Sequence, residues 1–226
     1  IPDPNTVLES NSLENLFCYC CIWSFGSCVK DRTQFWAHFS TVPSIPVPFN
    51  FYDGIYDFVE KQWIEVKKRV PHYEPITKFE DYAKILVPTA DTVKYTHLLG
   101  ILMDKGKQCL LVGETGTAKT VIIRSYLSRL NYDSYVFLTM NFSSRTNSME
   151  VQKNIETGGV TERLRPGLWG PKSGKKLIIF IDELHMPLPD KYDTQQPIAL
   201  LRFLLDKKIM YERGGFLEKR EFRDTQ

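Results

Sequence analysis

Two short stretches hold the residues whose types and spacing could do chemistry. The first is Gly113-Glu114-Thr115-Gly116-Thr117-Ala118-Lys119-Thr120, set between an apolar run and an amphipathic stretch. A glycine-permitted turn between a strand and a helix aims successive backbone N–H groups at one point, a nest for phosphate oxygens. The helix that follows directs its positive end at the same point. Lys119 is placed to reach the β- and γ-phosphates of a nucleoside triphosphate. Thr120 offers its hydroxyl to Mg²⁺, which takes hard oxygen ligands. Ala118 stands where the pattern GxxxxGK[ST] has glycine. If the turn needs φ > 0 there, the Cβ costs about 1 kcal/mol or more.

The second stretch is Asp182-Glu183, which closes the apolar run Leu177-Ile178-Ile179-Phe180-Ile181. An Asp at the carboxyl end of a buried parallel strand faces the crevice where open α/β sheets bind ligands. Asp182 is read as a Mg²⁺ holder, mostly through water, and Glu183 as the group that polarises the water attacking the γ-phosphate. Phosphoryl transfer is mostly positioning and charge stabilisation, so these few groups can carry it. Either stretch alone has a bland reading: a glycine turn before a helix, or a strand ending in two solvated acids. Together, 63 residues from Lys119 to Asp182 leave room for a strand and a helix between them, and the pair reads as a site for ATP with Mg²⁺.

The elements that must position these groups follow from patterning. Cys109–Val112 reads as a short buried strand feeding the loop, and Thr120–Leu130 as the amphipathic helix after it. Tyr135–Met140 is a second strand and residues 146–156 a helix. The polar, glycine-rich run from Glu156 to Lys176 reads as a loop or hairpin insertion. Leu177–Ile181 is continuously apolar, as strands buried on both faces are. Pro197–Lys208 is a helix with its proline in the first turn. Strands alternating with helices imply α/β structure with a parallel sheet covered on both faces.

Ahead of this lie a helix over residues 12–39 and a proline-rich connector over Val42–Pro48. An aromatic hairpin follows, turning at Asp53-Gly54. The run Ile85–Thr89 leads to a helix over Asp91–Met103, capped by Thr89 or Asp91. The hairpin's aromatics followed by Lys67, Lys68 and Arg69 read as a packed hairpin with a solvated basic tail rather than a base-stacking surface.

Composition narrows the class. Hydrophobic residues make up 42% and charged residues 25%, ordinary for a soluble globular domain. A net charge of +2 gives no support for nucleic-acid binding. No stretch is apolar for the ~18 residues a membrane helix needs, and no signal peptide is visible. The five cysteines are odd in number, and Cys18, Cys20, Cys21 and Cys28 crowd one apolar stretch. That suits core thiols in a reducing compartment better than disulfides or zinc. His38, His72, His97 and His185 are isolated, and His185 reads as structural. The start without Met and the end at EFRDTQ read as a fragment of a longer polypeptide.

At these residues the chain resembles a dynein heavy chain of the axonemal type, at its third AAA+ module. GETGTAKTVII resembles that family's phosphate loop (Walker A), which also tends to carry Ala before Lys. Thr139–Ser144 resembles its second-strand motif, and FIDELHMP its Walker B block. Thr194–Arg202 resembles the helix after that block, and Val87–Tyr95 the segment before the loop that contacts adenine.

The resemblance implies a P-loop NTPase of the AAA+ class with a three-layer αβα large domain over residues 51–226. Residues 1–50 would be a helical lead-in closing the preceding module. The chain would end before the fourth strand, in a sheet of order 5-1-4-3-2. It implies ATP or ADP with Mg²⁺, held by Val87, Pro88, Thr89 and the run Gly113–Val121, with Thr120 and Asp182 on the metal. Lys119, Glu183 and Asn141 would be catalytic, Asn141 restraining Glu183. In family relatives Asp often replaces Glu183, and Asn often replaces His185. The implied partners are neighbouring AAA+ modules, intermediate and light chains, and microtubules through the rest of the motor, with no nucleic acid and no membrane. The implied location is the cytoskeleton of a cilium or flagellum. Residues 1–226 alone are expected to fold poorly and to hydrolyse ATP very slowly. The other readings are a MoxR-like ATPase and a structural ring module holding ADP.

Overall fold

The computed structural model describes residues 10–40, 50–57, 59–73, 87–160, 162–165, 167–171 and 174–226. They fall into two units. One runs to Lys105 and resumes over Leu111–Tyr126; the other comprises Gly106–Leu110 and Leu127–Gln226.

The first unit opens with helix α1 (Ser10–Ser24), a 3-10 turn (Gly26–Cys28) and helix α2 (Arg32–Ser40). The single helix expected over 12–39 is therefore interrupted. The break sits where Tyr52 enters: its Oη donates to the Gly26 carbonyl at 2.9 Å, and a Cβ at Gly26 would lie 2.5 Å from that oxygen. Hydrogen-bonding Ser24 back to the Cys20 carbonyl at 2.6 Å ends α1 just before it.

Strands β1 (Gly54–Asp57) and β2 (Gln62–Glu65) pair antiparallel as a hairpin. Its turn is not at Asp53-Gly54, as the sequence pattern predicts, but beyond Asp57. Asp53 closes a 3-10 turn capped by Asn50, while Asp57 Oδ1 accepts from the amides of Val59 and Glu60. Lys61 takes the left-handed position at φ 54°. Trp63 centres the packing, with ring centroids 4.9 Å from Phe51, 5.5 Å from Tyr56 and 5.8 Å from Tyr19. Its indole N–H donates to Asn15 Oδ1 at 2.8 Å. Helix α3 (Ala90–Asp104) and helix α4 (Lys119–Leu127) follow as expected. The proline-rich connector, Ile85 and Leu86 lie outside the described residues.

In the second unit β3 (Tyr135–Asn141) pairs parallel with β6 (Lys176–Asp182), in register from Tyr135↔Lys176 to Asn141↔Asp182. Helices α5 (Ser148–Asn154) and α6 (Gln196–Lys207) and the turn Ile155–Gly159 supply core residues against this pair. Leu177, Ile155, Val160 and Met210 are fully buried there. The expected insertion is a hairpin of β4 (Glu162–Arg165) and β5 (Leu168–Gly170). It joins a second hairpin, β7 (Ile209–Tyr211) and β8 (Lys219–Phe222), in one sheet of order β4-β5-β8-β7. Arg220 ties this sheet down by pairing with Glu156 at 2.8 Å and Glu212 at 2.5 Å, with its guanidinium over Trp169.

Beyond β8 the chain returns along β6. Leu177 N donates to Asp224 O and Ile179 N to Gln226 O, both at 2.7 Å. Lys176 N instead bonds Ser134 O, so the returning segment lies on the edge of β6 opposite β3. That is where a strand between the first and third of an AAA+ sheet belongs.

The strand expected at Cys109–Val112 does not form. Leu110 and Val112 are 70% and 85% exposed, and no described strand pairs with the run. A strand has no hydrogen bonds of its own, so apolar composition cannot hold it extended without a neighbour's ladder.

Candidate nucleotide site

The loop from Gly113 to Lys119 is closed on itself. Thr117 Oγ1 donates to Glu114 O at 2.8 Å. Lys119 Nζ donates to Gly113 O at 2.9 Å, to Glu114 O at 2.6 Å and to Thr117 Oγ1 at 3.3 Å. An ammonium has three donors, and here all three are engaged by its own loop. Gly116 takes φ 84° and Ala118 φ 62°. The left-handed conformation the octamer demands is thus present, and Ala118 bears its steric cost.

Helix α4 starts at Lys119, and Ala118 O accepts its first helical bond from Ile122 N at 3.0 Å. No acidic residue occupies its first turn, so its positive end is uncompensated by side chains of that turn. Thr120 is half-buried and Val121 is 45% exposed.

Of the three residues assigned to adenine, Thr89 has its polar atoms committed. Its hydroxyl accepts from Thr92 N at 3.2 Å, and its amide donates to Thr92 Oγ1 at 2.8 Å. This is a reciprocal cap on α3. Val87 is 48% exposed and Pro88 half-buried.

The acidic residues belong to the second unit. Parallel register sets Asn141 beside Asp182 at the carboxyl ends of β3 and β6, and Phe142 N donates to Asp182 O at 3.0 Å. Asp182 Oδ1 accepts from Glu183 N at 3.2 Å. Glu183 itself is left-handed, at φ 54°. It opens a turn closed by Met186 N to Glu183 O at 3.0 Å. The side chain beside the Glu183 carboxylate is His185, with Nδ1 3.7 Å from Oε2; Asn141 makes no hydrogen bond to it. His185 is 76% exposed at its side chain, so it does not fill the structural role expected from sequence. The signal for it was its place two residues after Glu183, inside a tight turn.

Thr120, at the start of its helix, and Asp182, at the end of its parallel strand, each offer a hard oxygen of the type Mg²⁺ takes, and neither stretch offers a thiolate.

A left-handed loop opening a helix and a parallel strand ending in paired acids define an α/β protein of the P-loop class. Comparison with known proteins narrows the class. The family model described as "P-loop containing dynein motor region" matches residues 74–226, and "Dynein heavy chain AAA lid domain" matches residues 3–67. The chain belongs to the dynein motor-region family, which sets aside the MoxR-like reading.

It is similar to the Dynein-1-alpha heavy chain of the flagellar inner arm I1 complex of Chlamydomonas reinhardtii, 38% identical over 100% of this chain and 5% of that protein. It is also similar to Dynein axonemal heavy chain 10 of Homo sapiens, 38% identical over 86% of this chain and 4% of that one. Dynein axonemal heavy chain 12 of Mus musculus is 35% identical over 87% of this chain and 7% of its own length. The chain thus spans only about a twentieth of the curated relatives it matches.

Proposed function

We propose that this chain is the third AAA+ module of an axonemal dynein heavy chain, led in by the closing segment of the module before it. It binds ATP or ADP with Mg²⁺ and tunes how the motor's main ATPase cycle couples to microtubule release. The observation that carries the reading is the left-handed loop at Gly116 and Ala118 delivering Lys119 to the first position of α4.

In this reading Gly113–Val121 cradle the phosphates. Lys119 leaves its loop carbonyls for the stronger acceptors of the β- and γ-phosphates. Thr120 and Asp182 would hold Mg²⁺, which would supply charge stabilisation to the phosphates. Glu183 orients and polarises water, Asn141 restrains Glu183, and Val87, Pro88 and the Thr89 backbone meet adenine. The module works through neighbouring AAA+ modules of its heavy chain, and through them with intermediate and light chains and microtubules in the axoneme. Nucleotide acts by population shift, binding one arrangement of the modules better than another.

The test is Lys119→Ala in the intact heavy chain. Microtubule gliding velocity is expected to fall several-fold while basal ATPase changes little. Equal losses of both would place the main hydrolytic cycle at this site. No change in either would leave the module a passive ring element.

A further inference from the structure

We propose that His185 is a positioning residue that holds the Glu183 carboxylate back and so slows hydrolysis at this site. The inference rests on the reading of Glu183 as the water-polarising group.

The geometry around His185 is built rather than incidental. Glu183 is held left-handed at φ 54°, a conformation a non-glycine residue keeps only when its surroundings enforce it. Three sets of hydrogen bonds enforce it here. Met186 N closes the turn onto Glu183 O at 3.0 Å. Gln195 Nε2 grips the carbonyls of His185 at 3.0 Å and Pro187 at 2.7 Å. Leu188 N reaches across to Ser144 O at 3.3 Å, just beyond the end of β3. Pro187 is fully buried and anchors the turn. The turn therefore presents the imidazole to the carboxylate, Nδ1 to Oε2 at 3.7 Å.

At that distance the contact is no hydrogen bond, and it is an ion pair when the imidazole carries its second proton. The side chains are 76% and 54% exposed, so solvent screens the pair and it is worth little. A weak hold suits a restraint that a bound triphosphate must be able to overcome.

The experiment uses the intact heavy chain. Turnover at this site is taken as phosphate release minus that of the Lys119→Ala chain. His185→Ala is expected to raise site turnover about two- to fivefold with KM for ATP unchanged, and His185→Lys, which keeps a cation beside the carboxylate, to retain most of the restraint. In a Glu183→Gln background His185→Ala is expected to change nothing, because the two residues act as one unit. Unaltered or reduced site turnover in His185→Ala, with fluorescent-nucleotide binding intact, would overturn the proposal while leaving the reading of Glu183 standing. A Glu183→Gln chain with normal site turnover would remove that reading and the proposal with it.

Discussion

Ala118 carries a Cβ at φ 62°, a conformation that costs an L-residue about 1–2 kcal/mol. The cost is tolerated because the residue links two demands. Its carbonyl must start α4, and the loop before it must curl tightly enough for Lys119 to reach Gly113 O. Ala118→Gly should relieve the strain, offset in part by the greater freedom of glycine in the open state. Hydrogen exchange of amides 117–121 in the intact heavy chain should slow by about two- to fivefold. Faster exchange there would contradict the strain assignment. The strain was legible in the sequence as soon as Ala replaced glycine in the octamer. The three internal bonds of Lys119 were not, since no pattern of residue types says which acceptor a flexible ammonium prefers. His185 was read only as a structural histidine, and its exposure is set by the turn that carries it rather than by residue type.

Among elements, the hairpin β1–β2 shows how a turn is chosen by hydrogen bonding rather than by a dipeptide. Asp53-Gly54 carries the usual turn chemistry, yet Asp57 captures the turn because its carboxylate can satisfy two amides and pair with Arg69. The backbone N–H groups of Glu60 and Val59, with Arg69 beside them, hold the Asp57 carboxyl below the usual carboxylate range. A depressed folded pKa means the unfolded chain protonates first. The contribution of Asp57 is therefore complete above the ordinary Asp value of about 3.9 and disappears as pH falls through the lower folded value. Asp57→Asn should reduce exchange-protection factors over residues 54–65 at pH 7 and remove their acid dependence below about pH 4. Unchanged protection at pH 7 would show that Arg69 and the aromatic packing set the turn alone.

The same scale explains the missing strand. Tyr135–Asn141 and Lys176–Asp182 were legible because each is a ladder partner for the other, whereas Cys109–Val112 has no described partner and stays irregular. The hairpin β7–β8 escaped the sequence reading, although Gly214-Gly215 between two short alternating runs signals it.

Among the described residues, the parallel pairing of β3 with β6, the insertion hairpin and four of the six α-helices follow from patterning. The departures fall where long-range contacts decide: Tyr52 breaking the first helix at Gly26, and Gln195 pinning the turn after the acids. The site reads the same way. The residue types of loop and strand end announce phosphate and metal chemistry, while the left-handed turn at Glu183 depends on hydrogen bonds from Met186 and Gln195 that residue types alone do not announce.

The most direct test of that chemistry is a count of Mg²⁺-dependent nucleotide bound per intact heavy chain, compared between the unaltered protein and its Lys119→Ala and Asp182→Asn variants. One nucleotide fewer is predicted for Lys119→Ala, and for Asp182→Asn the corresponding nucleotide is retained only without benefit from Mg²⁺. An unchanged count with an unchanged Mg²⁺ dependence in both variants would contradict the assignment of this loop and these acids to a nucleotide site.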